Sequence, residues 1–128
     1  MKRLIIALFT ACALISCQKE DENGELGGFW KILEIEEANG NIINTVEESR
    51  FWAIQLNLLE LRPTEYIKYY CRFQHVGDSL FVQAIDQNCD LQAFGIYENK
   101  DERYKVEKLS DRRMVLRSKH AKIRFRKF

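Results

Sequence analysis

The 128-residue chain holds only two histidines and one proline, and its six glycines never form a phosphate-cradling run. Each scarcity excludes a class of chemistry. Without a glycine-rich loop there is no backbone cradle for a phosphate. No Gly-x-Ser-x-Gly stretch occurs, so there is no nucleophile elbow. His75, beside Asp78, offers one imidazole and one turn carboxylate, which is a poor metal site, and His120 reads as a loop histidine. The paired carboxylates Glu36-Glu37 and Glu47-Glu48 are sequence neighbours. On strands such neighbours face opposite sides, so they cannot act as a glycosidase pair. The expectation is no enzyme, no metal and no cofactor. A net charge of +1 gives no case for nucleic acid as a partner. One proline and 12% aromatic residues exclude a disordered chain. The length allows one small domain and not two.

What is present begins with an address. Met1-Lys2-Arg3 precedes an apolar run from Leu4 to Ile15, and Ser16-Cys17 follows. As a helix the run would be about 18 Å long, too short to anchor stably in a hydrocarbon core of about 30 Å. Residues 1–16 therefore read as a cleavable signal. Leu14-Ile15-Ser16-Cys17 resembles the bacterial lipobox, which implies diacylation of the Cys17 thiol and cleavage before it. Several acyl chains at ~0.8 kcal/mol per buried CH₂ make a durable membrane anchor. Residues 17–27 read as the lipidated cysteine and its tether. Within them Lys19-Glu20-Asp21-Glu22 resembles the acidic export signal that one group of Gram-negative gut-type bacteria places after lipid cysteines. That resemblance implies the outer membrane, with the domain exposed at the cell surface.

Residues 28–128 read as the domain. Charge is uneven along it: Arg112, Arg113, Arg117, Lys119, Lys122, Arg124, Arg126 and Lys127 crowd the end, while acidic groups dominate earlier. The basic last strands are expected to lie beside the acidic first ones, with Glu34, Glu36 and Glu37 as cross-strand partners. Cys71 and Cys89 remain after lipidation, an even pair in an oxidising compartment. A disulfide between them would add ~3 kcal/mol. Register argues against it: a hairpin turn at Gly77-Asp78 sets Cys71 opposite Ala84, about 16 Å along the strand from Cys89. Both outcomes stay open.

Short aromatic and β-branched runs fill the domain. Phe29–Glu37, Ile42–Val46, Phe51–Arg62, Tyr66–Val76 and Ser79–Ile85 read as strands, as do Tyr104–Leu109, Met114–Arg117 and Ala121–Phe128. Phe51–Arg62 reads as one long strand with a bulge at Leu58-Leu59. Leu91–Tyr97 is ambiguous, with strand preferred. Asn39-Gly40 and Gly77-Asp78 are turns. The fold class is all-β, a small antiparallel up-and-down barrel of about eight strands. Hairpin-length connections favour closure, which also removes exposed edges.

Gly28-Phe29-Trp30 at the start of the first strand resembles the Gly-x-Trp signature of lipocalins and related calycins. The closing rhythm from Tyr104-Lys105-Val106 to Ile123-Arg124-Phe125 resembles small lipocalin-like bacterial lipoproteins. The resemblance implies that Trp30 plugs one end of the barrel, with Arg124 or Arg126 packed over its ring. Trp52, Tyr69, Phe73 and Phe94 are the candidate ligand-binding residues: they either line an apolar cavity or fill the barrel. Two functions follow. One is a lipid-anchored, lipocalin-like protein that binds a small apolar or amphipathic ligand. The other is an accessory surface lipoprotein with a filled core, acting through protein or glycan contacts. The expected partners are the membrane and an unknown ligand or surface partner, for a chain read as monomeric.

Overall fold

The computed structural model describes residues 23–86, 88–98 and 100–128. The signal segment, Cys17 and the acidic stretch after it lie outside the described residues. The strands, in chain order, are β1 Gly28–Glu37, β2 Ile42–Asn44, β3 Phe51–Gln55, β4 Leu58–Arg62, β5 Tyr69–Val76, β6 Ser79–Ala84, β7 Glu102–Leu109, β8 Arg113–Arg117 and β9 Ala121–Lys127. Each pairs antiparallel with the next around the ring from β3 to β9, and β1 joins β9 to β3. Eight strands thus close an up-and-down barrel, as the alternation predicts. The short β2 lies beside the second half of β1, from Glu34↔Asn44 to Glu36↔Ile42, while β3 takes the first half.

Alternation sets the two faces. On β9, Ala121, Ile123 and Phe125 are buried, while Lys122, Arg124 and Arg126 lie on the outer wall. The acidic first strand meets the basic last one in register: Glu34 opposes Arg124 and Glu36 opposes Lys122. Arg124 forms an ion pair with Glu34, and Lys122 with Glu107. A barrel that spans a bilayer carries an apolar outer band, whereas this wall is charged. On β1 the inward set changes phase from Ile32 to Ile35, because a bulge at Leu33 inserts one extra residue against β9.

Three elements differ from the sequence reading. Phe51–Arg62 is two strands joined by a tight turn at Leu56-Asn57, with Gln55 opposite Leu58 and no bulge at Leu58-Leu59. Leu56 holds a positive φ of 53° without being glycine, and its carbonyl accepts a 2.8 Å hydrogen bond from the Asn23 amide. Leu91–Phe94 is a 3-10 turn rather than a strand. It turns into the barrel mouth and buries Leu91, Phe94 and the following Ile96. The folded domain also begins before Gly28. A 3-10 turn at Gly24–Leu26 closes the opposite end with Leu26 fully buried.

Gly95 allows the mouth plug to seat. Its φ is 78°, and a Cβ there would lie 2.2 Å from Ile123 Cδ1 and 2.9 Å from Cγ1. Ile123 is fully buried and has nowhere to retreat. Gly95→Ala is expected to cost ~2–4 kcal/mol from left-handed strain and overpacking together. A urea midpoint unchanged from the parent would show that the plug is not held this tightly.

Cys71 and Cys89 are free thiols, so the disulfide left open by the sequence is not formed. Register is the reason: Cys71 sits opposite Ala84, and Cys89 belongs to the loop beyond β6, its thiol directed at the Asp86 carbonyl 3.9 Å away. Burial, with the nearby Cys89 and Asp86, pushes the Cys71 thiol from 9.0 to about 12. Burial beside Asp86 raises Cys89 as well. A raised folded value means that Cys71 contributes stability in full below the unfolded thiol value, and that this is lost as pH rises towards about 12. In native protein at mildly alkaline pH, an alkylating reagent is expected to label the partly exposed Cys89 first and Cys71 only on unfolding. Equal labelling rates in native protein would contradict the burial of Cys71.

Candidate functional site

The barrel interior is occupied by side chains. Trp52 is fully buried, edge-on to Phe125 with ring centroids 4.9 Å apart and to Tyr104 at 5.8 Å. Its indole N–H donates to the Phe94 carbonyl at 3.0 Å. The Tyr104 hydroxyl donates to the Gly95 carbonyl at 2.7 Å, and burial holds that hydroxyl's pKa well above its ordinary value. Arg50 adds a 3.0 Å bond to the Ala93 carbonyl. Three side chains from the wall therefore hold three successive carbonyls of the mouth plug. Of the four predicted ligand residues, Trp52 and Phe94 meet here, at the plug. Tyr69 and Phe73 are half-buried on β5, opposite Leu61 and Val82. Phe73 also borders a shallow surface depression with Arg72, Gln74, Phe81 and Gln83. The structure does not gather the four around one cavity.

At the opposite end lies the other tryptophan, and the cation beside it differs from the one the resemblance implies. Trp30 is fully buried and its indole N–H donates to the Leu26 carbonyl at 2.8 Å. The cation over its ring is Lys127, with Nζ 4.9 Å from the centroid, and not Arg124 or Arg126. Register explains this: Lys127 lies directly opposite Trp30, whereas Arg126 faces Lys31 and Arg124 faces Glu34 on the outer wall. Lys127 Nζ also donates to the Glu25 carbonyl at 3.1 Å.

At the mouth, distant segments bring three further side chains together. Glu98 follows the plug, Glu102 opens β7, and His120 lies in the turn between β8 and β9. Their ligand atoms all lie within 4.8 Å of one another. Glu102 is 1% exposed. Its Oε1 has no hydrogen-bond partner. Burial raises its pKa, against the opposing influence of nearby His120, the Tyr97 backbone N–H and the Ser118 hydroxyl. Glu98 accepts from Lys119 at 2.7 Å and lies 3.2 Å from His120 Nε2, and these bonds lower its pKa. Tyr97 stacks on the His120 ring with centroids 5.4 Å apart. Burial and the neighbouring Glu37 push the Tyr97 hydroxyl up to about 12. By sequence His120 reads as a loop histidine, because its partners lie 22 and 18 positions away on other segments.

The outer wall carries a groove of about 330 Å³ lined by Phe29, Ser49, Phe51, Arg62, Thr64, Glu65 and Phe128. Phe51 and Phe128 meet edge-to-face at 5.5 Å. The Arg62 guanidinium lies 4.8 Å over the Phe29 ring and is held by Glu60 at 2.7 Å. Phe128 is 83% exposed. An apolar floor beside a guanidinium and a carboxylate suits an amphipathic ligand.

A closed eight-stranded antiparallel barrel, entered through Gly-x-Trp and plugged over that indole by a short 3-10 turn, defines a small calycin-type domain. The family model for the lipocalin-like domain matches residues 11–128, and the chain belongs to that family. The family is generally non-catalytic, in agreement with the expectation of no enzymatic activity. Among solved structures, a lipocalin-like protein from Bacteroides uniformis ATCC 8492 superposes with a TM-score of 0.69 at 23% identity, over 82% of this chain and 100% of that one. An uncharacterized protein from Bacteroides eggerthii DSM 20697 superposes with a TM-score of 0.62 at 18% identity, over 80% of this chain and 98% of that one. At these identities the likeness speaks for the fold. Comparison with curated proteins finds no match.

Proposed function

We propose that this is a lipid-anchored, lipocalin-like binding protein of the bacterial outer membrane, exposed at the cell surface, which takes a small amphipathic ligand on its outer wall. The aromatic groove on the outer wall carries this reading, and the packing of the interior directs attention to it. Trp52, Tyr104, Phe125 and the mouth plug touch one another where a larger lipocalin-type barrel would hold its ligand. The aromatic groove at Phe29, Phe51 and Phe128 then offers the apolar surface that a ligand needs. The family match supports a binding role over a catalytic one. The lipobox pattern ending in Cys17, and the acidic residues after it, support the anchor and the surface location.

The anchor is tested by labelling cells with an alkyne-bearing fatty acid. The parent chain is expected to take up label, and Cys17→Ala is expected to lose it entirely. Undiminished labelling of the variant would defeat the lipid attachment.

A further inference from the structure

We propose that Glu98, Glu102 and His120 form a binding site for a divalent transition-metal cation of the Zn²⁺ class at the barrel mouth. The inference rests on the described geometry and stands whether or not the chain is lipid-anchored. Three observations converge. The donor atoms of the three residues lie within 4.8 Å of one another. Glu102 is 1% exposed, one of its carboxylate oxygens lies within this cluster, and its Oε1 has no hydrogen-bond partner. A buried carboxylate oxygen without a donor has lost its water and gained nothing in return. The third observation is that Glu98 already binds a cationic group, the Lys119 ammonium, at 2.7 Å.

The donor set decides the class of ion. One imidazole nitrogen with two carboxylate oxygens and no thiolate suits Zn²⁺ and its first-row neighbours rather than Cu(I). Ligand atoms around a tetrahedral ion with bonds of about 2.0–2.1 Å are separated by about 3.4 Å, so the cluster must contract slightly on binding. Its outer members can do this. Glu98 and His120 are part-exposed, and the Lys119 side chain, 71% exposed, can release Glu98 to the metal. Tyr97, stacked on His120, fixes the plane of the imidazole. Three protein ligands leave a fourth position, and the exposure of Glu98 and His120 opens it to solvent.

The test uses the full chain, purified in mild detergent, freed of metal with a chelator and kept reduced. Zn²⁺ binding is measured by calorimetry, and Co²⁺ is added separately as a spectroscopic probe. The expected result is one Zn²⁺ bound per chain by these ligands, with Co²⁺ giving d–d bands and no thiolate charge-transfer band. Glu102→Gln and His120→Ala are each expected to weaken binding by at least about ten-fold, the lower bound for disturbing such a site. His75→Ala is expected to leave it unchanged. Lys119→Ala is expected to tighten it by removing the competing ammonium. Absence of saturable binding would overturn the proposal, as would binding retained in both ligand variants or a thiolate band. Should Glu102→Gln fail to fold, His120→Ala decides alone, because its part-exposed side chain is not part of the core.

Discussion

Trp52→Ala is expected to lower the stability of the domain by ~4–6 kcal/mol and to release the mouth plug. Truncating a fully buried tryptophan typically costs ~3–5 kcal/mol. Here the Phe94 carbonyl also loses its donor, which adds ~1 kcal/mol. Small domains are stable by only ~5–15 kcal/mol, so a large share of the margin would go. For a domain of this size the melting temperature should fall by about 20 °C. Amide exchange would localise the effect. The backbone N–H groups of Ala93, Gly95 and Ile96, which bond within the plug, should lose protection before those of β8 and β9. A loss under about 1 kcal/mol, or uniform loss of protection, would mean that Trp52 does not hold the plug.

Trp30→Ala is expected to cost ~3–5 kcal/mol at the other end. It removes the indole that donates to Leu26 and the ring beneath Lys127. Trp30→Phe separates the contributions. It keeps a ring over which Lys127 can lie but loses the N–H, so it should cost ~1–2 kcal/mol. Trp30 and Trp52 face each other directly on β1 and β3, yet each pins a different plug. Because they touch neighbouring parts of one core, their combined loss should depart from the simple sum. A near-neutral Trp30→Ala would remove the calycin-type closure from the account.

The two plugs also mark where sequence reading stops. The strands were legible because their side chains alternate without interruption. On β9 every second residue from Ala121 to Phe125 is apolar and the rest are basic. Turns at Asn39-Gly40 and Gly77-Asp78 were legible because glycine there supplies a positive φ. The turn at Leu56 was not, since an exposed leucine adopts that conformation against its own preference. Leu91–Phe94 reads locally like a strand. It becomes a 3-10 turn because Trp52, Tyr104 and Arg50, all distant in sequence, hold its carbonyls. The cation over Trp30 was assigned to an arginine by resemblance, and the register of β1 with β9 gives the position to Lys127. The mouth cluster joins three segments, so no local spacing announces it. Disulfide pairing was open for a related reason: the hairpin register that sets Cys71 opposite Ala84 was legible, but the course of the Cys89 loop was not.

A filled interior shifts binding to the surface, and it explains why Trp52 and Phe94, chosen by alternation, belong to the core, with Tyr69 and Phe73 packed against it. Inward alternation finds what faces the barrel axis; whether that space is open depends on the segment that enters the mouth. Phe29, Phe51 and Phe128 escaped notice because outward aromatics on a strand resemble ordinary wall residues until the chain end folds against them.

Backbone amide NMR of the chain, titrated with a short-chain amphipathic carboxylate, tests this account most directly. The account predicts saturable shifts confined to the amides around Phe29, Phe51, Arg62 and Phe128, with the core signals of Trp52, Phe94 and Tyr104 unmoved. Shifts centred on Trp52, Phe94 and Tyr104 would contradict it by showing that the ligand enters the barrel, and no saturable shift at the groove would contradict the binding role of the outer wall.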